Sequence, residues 1–191
     1  MQIVLASSSR YRKQQLDTLG VPFVCARPDI DESRQDNEGA STMALRLAAG
    51  KARAVAAQYP DALIIGSDQT VAFGEQILGK PGSFDAAVRQ LQQLRGQTVI
   101  FHSAVVLLDA RNNTLQQHVV ETAVCYRQLS DAQIMSYLER DTPFDCAGSF
   151  KSESLGIAIL ASVHSDDPSA LVGLPLIALT SMLNHTGAAP L

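Results

Sequence analysis

The residues Ser7-Ser8-Ser9-Arg10-Tyr11-Arg12-Lys13 put hydroxyls and cations at the point where an apolar run, Gln2 to Ala6, turns polar. If a strand hands over to a helix here, the free N–H groups of the helix start attract anions and the serines add donors. Arginine can grip phosphate oxygens in a bidentate manner. Three cations in a first helical turn oppose the helix dipole, a local conflict that a bound triphosphate would resolve. The plainer alternative is a solvated basic helix end. A second group, Gly66-Ser67-Asp68-Gln69, follows the apolar strand Ala62 to Ile65. A carboxylate at a strand's C-terminal end points into the crevice where open α/β sheets bind ligands. There it could hold a divalent cation or take a proton from an attacking water; a simple Asp turn is the alternative. The acidic residues Asp29, Asp31 and Glu32, with Lys51 and Lys80, supply what phosphate chemistry needs, carboxylates for a metal and cations for charge. Taken singly, each reads equally well as part of a solvated face. In Cys146-Ala147-Gly148-Ser149-Phe150-Lys151-Ser152-Glu153 the small residues allow close backbone approach. Lys151 and Glu153 project alternately if the segment is extended.

The elements that must carry these groups follow from periodicity. A strand is predicted over Gln2 to Ala6, then a helix from Ser9 to Leu19 closed by Gly20. A short strand, Phe23 to Ala26, precedes a long helix from Thr42 to Gln58, with Ser41 as its cap and Leu45, Ala48, Ala52 and Val55 at helical spacing. Ser83 caps a helix reaching Arg95. Val99 to Leu108 and Leu115 to Tyr126 form a long hairpin across the polar turn Asp109 to Thr114. Ser130 and Asp131 open a helix to Arg140, and Pro175 to Leu183 reads as a last helix. Interleaved but not strictly alternating elements imply an α/β fold with a mixed, elongated sheet.

Composition sets the outer bounds. A chain of 191 residues, 46% hydrophobic and 18% charged, suits a single globular domain over 1–191. A net charge of -4 argues against a nucleic-acid polymer as partner. The short apolar start without a basic lead argues against a signal peptide or a membrane span. The cysteines Cys25, Cys125 and Cys146 are odd in number and lack a C-x-x-C pair, as expected of free thiols in the cytoplasm. The histidines show no metal-ligand spacing.

Taken in order, Leu5-Ala6-Ser7-Ser8-Ser9-Arg10-Tyr11-Arg12, Asp31-Glu32, Ile65-Gly66-Ser67-Asp68-Gln69, Gly79-Lys80-Pro81, Ala147-Gly148-Ser149-Phe150 and Val172-Gly173-Leu174-Pro175 resemble the Maf family of nucleotide pyrophosphatases over nearly the whole chain. The resemblance implies the fold shared by Maf and inosine-triphosphate pyrophosphatases, an elongated mixed β-sheet flanked by helices with a central cleft between two lobes. It implies a hydrolase that cuts a nucleoside triphosphate into a monophosphate and pyrophosphate. The family's proton-accepting aspartate falls on Asp68, its phosphate-binding positions on Ser7, Ser9 and Arg12, and its glutamate and lysines on Glu32, Lys51 and Lys80. Position 10, commonly proline in the family, is Arg10 here.

Tyr11, Glu153 and the run Phe150-Lys151-Ser152-Glu153 are similar to the YceF-type subgroup, associated with 7-methyl-GTP, rather than to members acting on dTTP and UTP; Gln69 is a further expected specificity position. N7-methylation makes guanine cationic. An aromatic face such as Tyr11 attracts a cationic ring by about 0.5–2 kcal/mol, and Glu153 can balance the charge and accept hydrogen bonds from the guanine edge. The alternative is that Tyr11 packs on its own helix and Glu153 pairs with Lys151. The expected cofactor is Mg²⁺ or Mn²⁺ held by Glu32 and Asp68; Asp68 is open to metal binding, to the base role, or to both. Other readings remain: a pyrimidine or deaminated-purine triphosphate as substrate, or a non-catalytic nucleotide-binding regulator of cell division. A homodimer is implied by the resemblance alone.

Overall fold

The computed structural model describes residues 1–188 and 191. Its elements in chain order are β1 (Ile3–Ala6), α1 (Arg10–Asp17), β2 (Phe23–Ala26), α2 (Ala40–Ala56), β3 (Leu63–Phe73), β4 (Gln76–Leu78), α3 (Phe84–Leu94), β5 (Thr98–Asp109), β6 (Thr114–Tyr126), α4 (Asp131–Asp141), β7 (Leu160–Ser165) and α5 (Leu176–Asn184). The expected mixed sheet is present, in the order β2-β1-β3-β5-β6-β7, with β4 paired to β3. The β1–β2 and β1–β3 pairs are parallel and the rest antiparallel. Among the described residues no helix is long and apolar enough to cross a membrane.

Alternation along the strands decides what packs where. Val4, Ile64, Ala104, Val106 and Leu108 face α2, which answers with Ala44, Ala48, Ala52 and Val55. Ile3, Leu5, Leu63, Ile65, Val105 and Leu107 point the other way, onto Leu16 of α1 and Leu179 and Leu183 of α5. Further along the long strands, Val71, Phe101, Val124 and Tyr126 pack with Leu91 of α3 and Ile134 and Leu138 of α4. The two ends of one sheet thus carry separate apolar clusters.

Most caps are where the sequence puts them. Ser9, Ser83 and Ser130 cap α1, α3 and α4, and Ser130 forms a full capping box with Gln133. The hairpin turn holds Asn113 at φ 57°, a conformation asparagine tolerates. One cap differs: Gly39, extended at φ -75° and ψ 160°, starts α2, and Ser41 lies inside its first turn. The larger difference is β3. The sequence places Gly66-Ser67-Asp68-Gln69 at the end of a strand that stops at Ile65, with a simple turn as the alternative, yet it is the middle of an 11-residue strand. Continuous pairing with β5 from Leu63 to Ala72 overrides the weak strand preference of Gly and Asp.

Candidate active site

On its other edge β3 is paired only in part. β1 covers Leu63 to Ile65 and β4 covers Val71 to Phe73, so the edge from Gly66 to Thr70 is free of both. A cleft of about 880 Å³ opens at this gap. It lies where β1 ends and α1 begins, so the crevice rule for parallel strands holds for β1 rather than for β3. Asp68 is therefore corrected from a strand end to a mid-strand position. Ser7, Ser9, Tyr11, Arg12, Glu32, Lys51, Asp68, Gln69, Lys80 and Glu153 all line this cleft.

The floor of the cleft is a charge cluster. Lys51 Nζ lies 2.6 Å from Asp68 Oδ1 and 2.7 Å from Glu32 Oε1. Gly66 makes this possible. A Cβ at that position would stand 2.1 Å from the Ala48 carbonyl oxygen, so α2 sits directly on the strand. Lys51, one turn beyond Ala48, then overhangs Asp68, two residues beyond Gly66 on the same strand face. Glu32 arrives on a loop held from α2: Arg46 donates to both Glu38 carboxylate oxygens, at 2.5 and 2.7 Å, and to Ser33 O at 3.0 Å. The Lys51 hydrogen bond holds the Glu32 carboxyl below its ordinary pKa, against partial burial.

One wall of the cleft is the turn into α1. Ser7 Oγ accepts from Ser9 N at 3.1 Å, and Ser9 Oγ caps Arg12 N at 3.4 Å. No acidic residue sits in the first turn of α1, so the helix N-terminus presents N–H groups and cations together. Arg12 Nε donates to Gly173 O at 2.9 Å, which fixes the guanidinium plane. Burial pulls the Arg12 pKa down, and the nearby Asp68 and Glu32 carboxylates oppose that. Ser67 Oγ lies 2.8 Å from the same Gly173 oxygen. The sequence offered Val172-Gly173-Leu174-Pro175 only as a matching string; in the fold it is the anchor of Arg12. Lys80 is exposed at the rim, beyond the cluster.

The expected specificity positions divide. Tyr11 and Glu153 face the cleft. Gln69 lines it too, but its amide nitrogen is committed to Ser103 Oγ at 2.8 Å, Ala170 O at 3.0 Å and Leu171 O at 3.1 Å. It braces the 3-10 turn Pro168–Val172 and leaves only Oε1 for a ligand. Ser152 to Ser154 form a turn, so the stretch Lys151 to Glu153 is not an extended strand. Lys151 Nζ donates to the carbonyls of Asp141 and Thr142, and the acidic group nearest it is Asp145 at 3.8 Å, so Glu153 is not its partner. Glu153 accepts from Ser152 Oγ at 2.8 Å and stays exposed. Arg10 and Asp145, not singled out as site residues from sequence, complete this rim.

Two carboxylates converging on one cation are a hard, oxygen-only donor set. Among the described residues no group of three or more His, Cys, Asp or Glu could hold a metal. An ion such as Mg²⁺ takes one or two carboxylates and completes its shell with phosphate oxygens and water.

The profile of the family described as Maf-like protein matches residues 2–186. The 7-methyl-GTP pyrophosphatase of Aromatoleum aromaticum is 53% identical to this chain, covering 97% of it and 96% of the relative. The protein of the same description from Cupriavidus metallidurans is 51% identical over 97% of this chain and 93% of its own. Among solved structures, the Staphylococcus aureus Ham1 protein aligns with 67% of this chain and 73% of its own, at 14% identity and a TM-score of 0.47. A match that runs from β1 through α5, at half of all positions in near full-length relatives, places the chain in the Maf family.

Proposed function

We propose that this protein is a nucleoside-triphosphate pyrophosphatase that hydrolyses 7-methyl-GTP to 7-methyl-GMP and pyrophosphate. The observation that carries the reading is the Asp68–Lys51–Glu32 cluster on the floor of a cleft whose wall is the Ser7–Arg12 helix start. The names of the relatives support the reaction and the substrate.

In this account Ser7, Ser9, Arg12 and Lys80 receive the phosphates, and Arg12 is held ready by Gly173. Water attacks the α-phosphorus and its proton passes to Asp68, through Oδ2, since Oδ1 accepts from Lys51. The bond from the α-phosphorus to the α–β bridging oxygen breaks, and its electrons leave with pyrophosphate. Lys51 and Arg12 stabilise the charge that develops there. Glu32 and Asp68 would hold a divalent cation, Mg²⁺ or Mn²⁺, which supplies charge neutralisation on the phosphates. Tyr11 and Glu153 face the base, and an aromatic face with a nearby carboxylate suits a cationic ring. The free state of Cys25, Cys125 and Cys146 supports a reducing, cytoplasmic setting.

The test is pyrophosphate release with Mg²⁺ or Mn²⁺ from 7-methyl-GTP, GTP, dTTP, UTP, CTP and ITP, for the wild type and Glu153→Gln. The reading expects 7-methyl-GTP to be preferred, and the substitution to lower its kcat/KM about 3- to 30-fold relative to GTP. Preference for a pyrimidine, or equal losses on all nucleotides, would overturn the base assignment.

A further inference from the structure

The base side of the cleft already holds a cation. Arg10 Cζ lies 4.7 Å from the centroid of the Tyr11 ring, and Arg10 Nη2 donates to Tyr11 Oη at 2.6 Å. Arg10 is the first residue of α1, where a positive charge is opposed by the helix dipole and no acidic residue of the first turn offsets it. Its guanidinium hydrogen bond goes to Tyr11, and Arg10 lines the cleft.

We propose that Arg10 sets base selectivity as a built-in competitor, its guanidinium occupying in the free protein the aromatic and acidic surroundings that a cationic base would use. The claim rests on the reading of the base as N7-methylated. Tyr11, Asp145 and Glu153 line the same cleft, and Arg10 lines it with them. The guanidinium is held above its ordinary pKa first by the Tyr11 hydrogen bond and, more weakly, by the fields of Asp145 and Glu153. Of these, Tyr11 and Glu153 are the groups assigned to the base. A cationic ring stacking on the same face must displace Arg10. One stacking on the opposite face meets a like charge across the ring, and the quadrupole that attracts it is already engaged. A neutral purine on the same face must displace Arg10 as well, but it meets no like charge there or across the ring. Arg10 thus lowers the preference for a cationic over a neutral base, and its removal raises that preference.

The experiment is isothermal titration of 7-methyl-GMP and GMP into the wild type, Arg10→Gln, Tyr11→Leu and the double variant. Arg10→Gln is expected to raise the 7-methyl-GMP over GMP affinity ratio about 2- to 5-fold, the range of an exposed cation–π contact. In the Tyr11→Leu background the same substitution should leave the ratio where it was. An unmoved or lowered ratio in Arg10→Gln, or a weakening of both ligands alike, overturns the proposal and makes Arg10 a phosphate contact or a bystander. The two claims fail separately. A wild type that releases no pyrophosphate from 7-methyl-GTP while Arg10→Gln shifts the ratio sinks the proposed reaction and leaves Arg10 standing. Turnover with an unmoved ratio does the reverse.

Discussion

Replacing Lys51 with Met keeps the volume of the stem and removes the ammonium at the centre of the site. That ammonium stands 2.6 Å from Asp68 and 2.7 Å from Glu32, and the side chains of Lys51, Asp68 and Glu32 are 9%, 11% and 55% exposed. Removing one partner from a buried ion pair costs about 3–5 kcal/mol, because the other charge is left unpaired. The Glu32 half is largely solvated and adds little, so the low end applies, about 3 kcal/mol. In a chain of this size each kcal/mol moves Tm by about 2–4 °C, which gives a drop of about 6–12 °C. Calorimetry at pH 7 without nucleotide reads it directly. A second variant isolates the cause: Lys51→Met with Asp68→Asn removes both charges, and the deficit should shrink to about 1 kcal/mol. A single variant within about 0.5 kcal/mol of wild type, or a double variant that loses the sum of the two singles, would refute the reasoning.

The loop that brings Glu32 to the site makes a pH prediction. Arg46 holds the Glu38 carboxyl down at about 2, from an ordinary value of 4.5. A depressed carboxyl contributes stability that is complete above 4.5 and lost as pH falls toward about 2. Glu38→Gln should therefore lower the urea midpoint at pH 7 and flatten its further fall between pH 4.5 and 2; a wild-type slope in that window would contradict the pair's role. Gly66→Ala must push α2 off β3, since the new Cβ would meet the Ala48 carbonyl oxygen at 2.1 Å. It should cost about 3 kcal/mol in urea unfolding and depress turnover by moving Lys51. Wild-type stability would show that the helix yields freely.

Much of this architecture was legible in the residues. The hairpin of β5 and β6, the serine caps of α3 and α4, and the Ser7–Arg12 helix start rest on local rules, and local rules read well from sequence. Two groups of site residues stand out by their local setting: cations at a helix start, and an aspartate directly after an apolar strand. What was hidden is set by tertiary pairing. Nothing local to Gly66-Ser67-Asp68-Gln69 announces a strand, since its partner β5 begins some thirty residues later. The same holds for Gln69. Its type suggests a contact with the base, but only the packed 3-10 turn shows its amide nitrogen spent on Ala170 and Leu171. Edge strand β7 carries exposed residues over most of its length, so it lacks the apolar alternation that would have revealed it.

The measurement that bears most directly on the central claim is pyrophosphate release from 7-methyl-GTP by wild type and Asp68→Asn, with circular dichroism on both. Asn keeps the shape of the side chain and takes away the proton acceptor. The account predicts matching spectra and a fall in turnover of at least about 100-fold. Near-normal turnover in a folded Asp68→Asn protein would contradict it and remove Asp68 from the chemistry.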